Sequence, residues 1–299
     1  MSKKDAIDAL VTVGRNARLY CCMPVIEGIT PLPVDPRVDR HGWHLFMFRY
    51  NRDAFGGLDK RTFARAVTAE GRTVALKILN KSLITDKRNL ERFFSEARST
   101  ASLTQANIVT VYDVGQIKDD YFISMEFIEG ENFMNLIRRK KAFSASQIVF
   151  IAIKLFKALD YSHRKGIIHR DIKPHNIMIT KQKEIKIMDF GLAVILGDQK
   201  KGESGVITGT PYYMSPEQIQ GIPVDHRTDI YSSGTTLFHL TTGHVPFKGE
   251  NIFYQHLFDP VPPIKKYRSD VPEKLCYIIE KCMEKKREQR FQSAMEVLN

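Results

Sequence analysis

The chain has 299 residues, 43% of them hydrophobic and 26% charged, so it is long enough for two lobes with cores and too apolar for a disordered protein. Its net charge of +11 is spread along the sequence. The densest basic runs, at 138–141 and 285–287, flank apolar-periodic segments as solvated helix faces do, so we predict no nucleic-acid partner.

Residues 1–44 are predicted to form an N-terminal extension or linker of unknown role. A short amphipathic start is followed by four prolines between residues 24 and 36. Proline removes a backbone donor and fixes φ, so this spacing argues against a long helix or a central strand. No internal repeat is visible, and the main domain is predicted to begin at residue 45.

From residue 45 onward, apolar alternation and turn residues predict a small β-rich region with one helix. The predicted strands cover 45–48, 62–67, 73–79, 108–114 and 121–125, with turns at 70–71 and 118–120. The predicted helix lies at about 90–103, where apolar residues recur at helical spacing.

Beyond residue 130 the periodicity becomes helical. The clearest helix is predicted at 146–162, where apolar residues recur every three or four positions. The members of this stripe are Ile148, Ile151, Ala152, Leu155, Phe156 and Leu159. We expect the stripe to be buried against the polar loop that follows the helix.

Residues 168–178, called the Asp171 loop below, combine three side chains that phosphoryl transfer requires. Asp171 supplies a carboxylate that can orient an attacking hydroxyl and accept its proton, and Lys173 supplies a cation for a migrating phosphoryl group. Asn176 supplies an amide oxygen for Mg²⁺. Apolar flanks indicate a loop held between two buried anchors. A lone Asp or Lys is more often a solvated surface charge, so it is the combination of the three residues that indicates a phosphoryl-transfer site.

A further acidic residue follows at the end of a predicted hairpin. Strand 176–180 and the alternating strand 185–188 are joined by a polar turn and end in Asp189, which an aromatic residue and a glycine follow. This hairpin would carry Asn176 and Asp189 to the same place.

These motifs resemble those of the protein kinase superfamily, in particular the eukaryotic-like Ser/Thr kinases of bacteria. The resemblance rests on H-R-D-I-K-P-H-N at 169–176, D-F-G at 189–191, V-A-L-K at 74–77 and S-P-E at 215–217. In the family, the lysine of the loop and the threonine that precedes the proline mark Ser/Thr specificity. Here these residues are Lys173 and Thr210.

The resemblance implies an α+β, bilobal, protein-kinase-like fold over residues 45–299. A small β-rich N-lobe with one key helix would cover about 45–125, and a larger, mainly helical C-lobe would cover about 131–299. A hinge at about 125–130 would join them.

The resemblance also implies an ATP site. In the family, the strand lysine, here Lys77, pairs the α and β phosphates of ATP, and a helix-borne acid, here Glu96, holds that lysine. Adenine binds main-chain groups of the hinge, here those of Glu126 and Ile128. The other matched ATP-binding positions are Gly56, Gly57, Ala75, Met125 and Met178.

The turn between the first two predicted strands departs from the family pattern G-x-G-x-x-G. Here Gly56 and Gly57 are adjacent, and 58–61 carry side chains where the later glycines should be. These side chains would hold the backbone away from the phosphates, and Asp59 would repel the phosphates. Lys60 or Arg61 would compensate by charge only in part. We expect Mg-ATP to bind, but more weakly than it binds to a kinase whose turn has three spaced glycines.

The segment that follows Gly191 is expected to be an activation segment. Arg170, directly before Asp171, suggests control by a phosphate, because an arginine there can pair with a phosphorylated residue and order the segment. Ser204 and Thr208 are the candidate phosphosites. In the alternative, Arg170 pairs with a carboxylate and the segment is always ordered.

Three further residues have structural roles in the family. Asp229 would tie down the backbone of the Asp171 loop, since residues 229–234 resemble the start of the family's large buried C-lobe helix. Arg290, in the last helical stretch, would pair with Glu217 of the S-P-E motif.

Cysteine content and hydropathy predict a reduced, cytoplasmic protein without structural metal. The four cysteines have no zinc-like C-x-x-C spacing. The longest mostly apolar run, at 148–156, is too short to span a bilayer and contains Lys154. The N-terminus lacks the apolar region of a signal peptide. We therefore expect no membrane segment in this chain, which leaves open an anchor beyond its last residue.

We predict an ATP-dependent Ser/Thr protein kinase that transfers the γ-phosphoryl group to protein hydroxyls and autophosphorylates in its activation segment. Asn176 and Asp189 would hold Mg²⁺ or Mn²⁺, and the partners would be protein substrates. The altered glycine turn favours one alternative, a pseudokinase scaffold or nucleotide sensor. A second alternative is a small-molecule phosphotransferase of kinase-like fold. Such enzymes generally lack the Thr-Pro and S-P-E segment, so the presence of that segment here argues against this alternative. The physiological substrate, the oligomeric state and the upstream signal stay open.

Overall fold

The computed structural model describes residues 29–31, 43–50, 73–79, 94–95, 97–117, 120–139, 143–190 and 211–299. These residues form two compact units. The first contains the described residues up to Thr104 together with Thr110–Ile128. The second contains Gln105–Val109 and the described residues of Glu129–Asn299.

The first unit is built on an antiparallel sheet with the order β1-β2-β3-β5-β4 among the described residues. The strands are β1 (Ile29–Pro31), β2 (Trp43–Tyr50), β3 (Thr73–Leu79), β4 (Val111–Ile117) and β5 (Asp120–Glu126). β3 lies between β2 and β5, so both of its edges are hydrogen-bonded. Its position in the sheet is therefore fixed from two sides.

β3 has the predicted bounds, and β2 and β5 extend the predicted strands 45–48 and 121–125 at both ends. The predicted turn at 118–120 was therefore too long, since Asp120 already belongs to β5. The predicted strand 62–67 and the turn at 70–71 lie outside the described residues.

The predicted strand at 108–114 was wrong at its start, because β4 begins only at Val111. Ile108 instead forms an isolated parallel bridge with Ile187. The N–H of Val109 donates to Ile187 O at 2.9 Å. The backbone bonds of these two residues thus tie them to the second unit, not to the first sheet.

β1 was not predicted from the sequence. It pairs with β2, with Ile29 opposite Tyr50 and Pro31 opposite Phe48. It lies at the edge of the sheet, where proline is tolerated because one side of the strand makes no ladder bonds. Five residues of the predicted extension thus join the sheet, three in β1 and the first two of β2, and the domain boundary at residue 45 stays a prediction.

Helical residues 94–95 and 97–101 lie within the predicted helix 90–103. Ala97 is buried, and the ring of Phe94 meets that of Tyr121 edge-on with centroids 5.8 Å apart. The apolar side of this segment therefore packs on β5, as its periodicity suggested.

The second unit contains a three-stranded antiparallel sheet with the order β6 (Gly130–Asn132), β7 (Ile177–Thr180) and β8 (Ile185–Ile187). β7 and β8 confirm the predicted hairpin. β7 begins one residue later than predicted because Pro174–Asn176 forms a 3₁₀ turn.

The helices described in the second unit are α1 (Phe133–Arg138), α2 (Ala145–Arg164), α3 (Pro216–Gln220), α4 (Arg227–Thr242), α5 (Ile252–Phe258) and α6 (Glu273–Cys282). α2 confirms the predicted helix 146–162. It starts at a capping box in which the N–H of Gln147 donates to Ser144 Oγ at 3.2 Å and the N–H of Ser144 donates to Gln147 Oε1 at 2.8 Å. The predicted stripe is buried, except that Ala152 is only half-buried, and the helix lies close to α4 and β8; its packing against the polar loop stays a prediction.

α4 is the buried helix that the sequence predicted, and it lies against α6. Gly234 permits this packing, because a Cβ there would lie 2.7 Å from Met283 Cγ and 2.8 Å from Cys282 Cβ. Buried hydroxyls on α4 bond to its own backbone, as Thr241 does to Leu237 O at 2.7 Å.

The prediction of solvated basic faces holds for Arg138 and Arg139, which are exposed, but was wrong for Lys285. Lys285 Nζ donates to Gln255 O and His256 O, both at 3.0 Å. Burial lowers the pKa of Lys285 to about 8. This lysine therefore stabilises the C-terminal end of α5, where a positive charge is favourable.

Cys276 and Cys282 are free, buried thiols on α6. Burial raises the pKa of both, so they behave as small apolar core residues. Within the described ranges, no group of three His, Cys, Asp or Glu side chains could hold a metal ion. Nor does any helix in these ranges have an apolar stretch long enough to cross a membrane.

Candidate active site

The Asp171 loop is anchored by buried isoleucines, as predicted. Ile167 precedes it, Ile172 lies in its middle and Ile177 lies near its end, and all three are buried. Burying one such side chain stabilises the fold by about 1.5–3 kcal/mol relative to leaving it exposed. The polar side chains between these anchors are therefore carried on a backbone that cannot shift without exposing core residues.

Asp229, on α4, holds the start of the loop by its backbone, which confirms the predicted role. Its Oδ2 accepts the N–H of His169 and its Oδ1 accepts the N–H of Arg170, both at 2.8 Å. His163 Nε2 lies 2.7 Å from the same Oδ2. Burial would raise the pKa of Asp229, but the hydrogen bonds from the His163 side chain and the His169 N–H outweigh it and lower the pKa. The carboxylate therefore stays ionised beneath the loop.

His169 joins the loop to the segment that carries Asp189. Its Nε2 is 2.7 Å from Met188 O, and a carbonyl can only accept, so Nε2 carries the proton. Its Nδ1 then accepts the N–H of Asp171 at 3.2 Å. The ring also packs on Phe190, with centroids 4.5 Å apart. The neutral tautomer of His169 is thus set by its two partners.

The side chains of Lys173 and Asn176 both contact the carboxylate of Asp171. Asp171 Oδ2 lies 2.7 Å from Lys173 Nζ and accepts a hydrogen bond from Asn176 Nδ2 at 3.0 Å. Asn176 Nδ2 also donates to Asp171 O at 2.9 Å. Both bonds need an N–H donor, so the amide is oriented with Oδ1 away from Asp171. The side chains of Asp171 and Lys173 are 37% and 31% exposed, which leaves them accessible to a substrate.

Asp189 lies on a segment that is hydrogen-bonded to the residue before β7. The N–H of Met188 donates to Asn176 O at 2.9 Å, so the hairpin joins the two backbones as predicted. Asp189 has a left-handed φ of 64°. This conformation costs a non-glycine residue about 1–2 kcal/mol, so the neighbouring contacts must hold it. Buried Phe190 and the bond from Met188 flank the strained residue.

Glu217 and Arg290 form the predicted ion pair. Arg290 Nη1 and Nη2 donate to Glu217 Oε1 and Oε2 at 2.8 and 2.9 Å, and each residue is only 2% exposed. Burial would raise the pKa of Glu217, but Arg290 and the Thr228 hydroxyl outweigh it and lower the pKa. The prediction that Arg290 lies in a helical stretch was wrong in detail, because it follows the 3₁₀ turn Arg287–Gln289 in extended conformation.

Three predicted ATP-binding residues lie together in the sheet of the first unit. Ala75 on β3 is paired with Met125 on β5, and both are buried. Lys77 is two residues beyond Ala75, so the two side chains lie on the same face of β3. Lys77 is also buried, at 8% exposure, which is uncommon for a lysine and indicates a specific environment.

The hinge residues of the first unit are Glu126, which ends β5, and Ile128, which is buried. The N–H of Glu126 donates to Thr110 O at 2.8 Å, and its Oε2 accepts the N–H of Thr110 at 3.2 Å. A bond from this residue to adenine would therefore have to use its carbonyl oxygen.

Met178, on β7 of the second unit, is half-buried and is paired with Lys186 and Asn132. The other predicted site residues lie outside the described residues, and their roles stay predictions. They are Gly56, Gly57, Glu96, Ser204, Thr208 and Thr210.

Residues 62–299 match the family described as the protein kinase domain. The chain belongs to this family. The predicted family is thereby confirmed.

Curated relatives of this kinase domain are longer proteins. A probable serine/threonine-protein kinase of Clostridium acetobutylicum is 39% identical over 235 residues, which cover 78% of this chain and 36% of that protein. The serine/threonine-protein kinase PknB of Mycolicibacterium smegmatis is 36% identical over 253 residues, which cover 81% of this chain and 40% of that protein. The chain thus spans little more than a third of the length of these relatives.

Solved structures agree on the fold. The PknI kinase domain of Mycobacterium tuberculosis has a TM-score of 0.65 at 23% identity, covering 90% of this chain and 93% of that chain. Rad53 residues 1–466, in complex with AMP-PNP, has a TM-score of 0.70 at 22% identity, covering 91% and 64%. The predicted α+β protein-kinase fold is therefore confirmed.

Two residues that support the Asp171 loop were missed in the sequence, His163 through Asp229 and Gln218 directly. His163 bonds to Asp229 across 66 residues of sequence, and no local pattern marks it. Gln218 donates to Arg170 O across 48 residues. Its S-x-x-Q spacing after Ser215 is the signature of a capping box, which indicates a helix start but not this contact.

Proposed function

We propose that the kinase domain transfers the γ-phosphoryl group of ATP to serine or threonine hydroxyls of proteins. The observation that carries the proposal is the meeting of Asp171, Lys173 and Asn176 at one carboxylate, within 2.7–3.0 Å, on a loop whose backbone is fixed from below. The match to the protein kinase domain family and the names of the relatives support the same activity.

In this proposal Asp171 orients the acceptor hydroxyl and takes its proton as the oxygen attacks the γ-phosphorus. The bond between the γ-phosphorus and the bridging oxygen breaks, and ADP leaves with that oxygen. Lys173, already 2.7 Å from Asp171 Oδ2, neutralises charge on the migrating group. The bond from Asn176 to the same oxygen leaves Oδ1 of Asp171 to receive the proton.

The oxygen atoms near the loop fit a hard divalent cation. Nδ2 of the Asn176 amide donates hydrogen bonds to Asp171, so Oδ1 of Asn176 is the atom that could bind a metal ion. Asp189 would add a carboxylate from the hydrogen-bonded neighbouring segment. Oxygen ligands of this kind suit Mg²⁺, and also Mn²⁺. When bound, the cation would screen the phosphate charge of ATP.

For ATP itself, we propose Lys77 for the phosphates, with Ala75 and Met125 beside the adenine. The carbonyl of Glu126 and the main chain of Ile128 would bond to the adenine. The remaining ATP-binding residues would have the roles that the family resemblance implies. Affinity is expected to be reduced by the altered glycine turn. The pseudokinase alternative gains nothing from the Asp171 loop, where all three side chains with chemical roles are present.

We further propose that residues 45–299 form the kinase domain and that its partners are protein substrates. The reduced, cytoplasmic setting and the absence of a nucleic-acid partner stay predictions.

The acceptor residue tests this proposal directly. The chain is incubated with ³²P-labelled Mg-ATP and a generic basic protein, and the labelled amino acids are separated after hydrolysis. We expect phosphoserine and phosphothreonine, because Lys173 and Thr210 are the family's marks of this specificity. Phosphotyrosine as the main product, or no transfer at all, would contradict the proposed function.

A second experiment tests control by phosphorylation. Arg170 directly precedes Asp171, and its N–H donates to Asp229, which fixes its backbone. A phosphate on the activation segment that pairs with the Arg170 guanidinium would therefore order that segment next to the acceptor site. We expect Thr208 or Ser204 to be labelled, and Thr208→Ala or Ser204→Ala to lower activity about tenfold. Ser269→Ala, at an exposed serine, is the control. Full activity in both loop variants places control elsewhere.

A further inference from the structure

The peptide bond between Arg170 and Asp171 is held at both of its polar ends. Its N–H, from Asp171, donates to His169 Nδ1 at 3.2 Å. Its C=O, from Arg170, accepts a hydrogen bond from Gln218 Nε2 at 2.8 Å. Because both groups belong to one rigid plane, rotation of that plane would break both bonds together.

This peptide needs to be held, because Arg170 has a left-handed φ of 66°. A non-glycine residue in this conformation is strained, so the chain would relax if the contacts were removed. Relaxation of φ at Arg170 would turn the Arg170–Asp171 peptide about the N–Cα bond of Arg170 and would swing the Asp171 carboxylate. The orientation of that carboxylate therefore depends on the two bonds at the peptide plane.

Gln218 is itself oriented by the start of α3. Its Oε1 accepts the N–H of Ser215 at 3.0 Å and lies 3.3 Å from Ser215 Oγ, which leaves Nε2 for Arg170 O. The amide orientation is determined, because the N–H of Ser215 can only donate and the Arg170 carbonyl can only accept. One side chain thus caps a helix with one atom and holds the Asp171 loop with the other.

We propose that Gln218 is a positioning residue that fixes the Arg170–Asp171 peptide. The orientation of the Asp171 carboxylate thereby depends on the position of α3. Gln218 acts through the backbone of Arg170 and touches no reacting group. Its link to turnover rests on the proposed kinase function, whereas its hold on the peptide does not. The segment 211–217 leads directly into this contact, so displacement of α3 would loosen the Asp171 loop.

The test separates the two atoms of the Gln218 amide. Gln218→Glu keeps an acceptor for Ser215 but loses the donor to Arg170, and Gln218→Met keeps the length and loses both. Gln220→Glu, at an exposed position on the same helix, is the matched charge control. Ser215→Ala weakens the helix cap and keeps the donor. The readouts are kcat, KM for ATP, thermal unfolding, and hydrogen exchange at the Asp171 amide.

We expect Gln218→Glu and Gln218→Met to lower kcat about tenfold, as for loss of one hydrogen bond, with KM for ATP within about twofold. The Asp171 amide should exchange about tenfold faster in both, while Gln220→Glu and Ser215→Ala exchange as the unchanged chain does. A merely structural role would instead lower the unfolding temperature of Ser215→Ala and the Gln218 variants alike.

Unchanged exchange at Asp171 in a folded Gln218→Glu or Gln218→Met variant would overturn the inference, whatever the activity. If one of these variants fails to fold, the other decides. If the unchanged chain transfers no phosphate, the proposed function fails, and the exchange measurement still decides whether Gln218 holds the peptide.

Discussion

Replacement of Asp171 by asparagine is expected to lower phosphoryl transfer by about 10²–10⁴-fold, the contribution typical of a positioned general base. Asparagine has the same shape and can still accept from Lys173 Nζ and Asn176 Nδ2, which contact Oδ2 at 2.7 and 3.0 Å. It cannot take a proton from the acceptor hydroxyl. The loss should therefore fall on kcat, measured as ³²P transfer to a basic protein and to the chain itself.

Stability should change little in the same variant. The Asp171–Lys173 pair is about a third exposed, so its loss should cost less than about 1 kcal/mol. Asp270→Asn is the matched control, because Asp270 also pairs with a basic residue two positions away, Arg268, at 2.6 Å. We expect full activity in that control. Activity of Asp171→Asn close to that of Asp270→Asn would refute the role of Asp171.

The chemistry of the Asp171 loop could be predicted because it lies in one short stretch. Asp171, Lys173 and Asn176 span six residues, and a chain this short, with its ends buried, brings their side chains together in few ways. The hairpin of β7 and β8 was equally local. Spacing and apolar flanks were therefore sufficient for these parts.

The start of β4 could not be predicted in this way. The apolar pattern continues from Ile108 into β4, but Ile108 and Val109 bond to Ile187, far away in sequence. A period of two shows that a residue is extended and does not show which partner it bonds. The boundary was set by a tertiary contact that no local window contains.

Burial of a polar side chain was equally invisible locally. Lys285 belongs to a run of basic residues that looks like a solvated face, yet its Nζ binds carbonyls 29 and 30 residues earlier. Gln218 and His163 likewise act across 48 and 66 residues. Asp229 and the Glu217–Arg290 pair were identified only because the family resemblance supplied contacts that periodicity cannot supply.

Removal of the Arg290 guanidinium should cause the largest loss of stability. Arg290→Met leaves the Glu217 carboxylate in a site that is 2% exposed, with the Thr228 hydroxyl at 2.6 Å but without its counter-charge. Breaking a buried ion pair from one side typically costs about 3–5 kcal/mol. Arg290 also donates to Glu284 O at 2.7 Å, and that carbonyl loses its partner as well. Urea unfolding at pH 7 measures the change.

The chain offers a matched control for this variant. Arg287, three residues earlier, pairs with Asp225 at 3.2 Å, but both side chains are about 30% exposed. Arg287→Met should therefore cost less than about 1 kcal/mol. The double variant Glu217→Met/Arg290→Met should recover much of the loss, because it leaves no unpaired charge in the core. Equal losses in Arg290→Met and Arg287→Met would contradict this account.

The stability difference between the unchanged chain and Arg290→Met should depend on pH. The pKa of Glu217 in the folded chain lies below its ordinary value of 4.5, so its contribution is present above that value and is lost as pH falls through the folded pKa. In Arg290→Met, burial without the guanidinium should instead raise the pKa of Glu217, so protonation relieves the buried charge. The stability gap between the two proteins should therefore narrow between pH 7 and pH 4. A gap that stays constant over this range would mean that the loss comes from packing and not from the unpaired carboxylate.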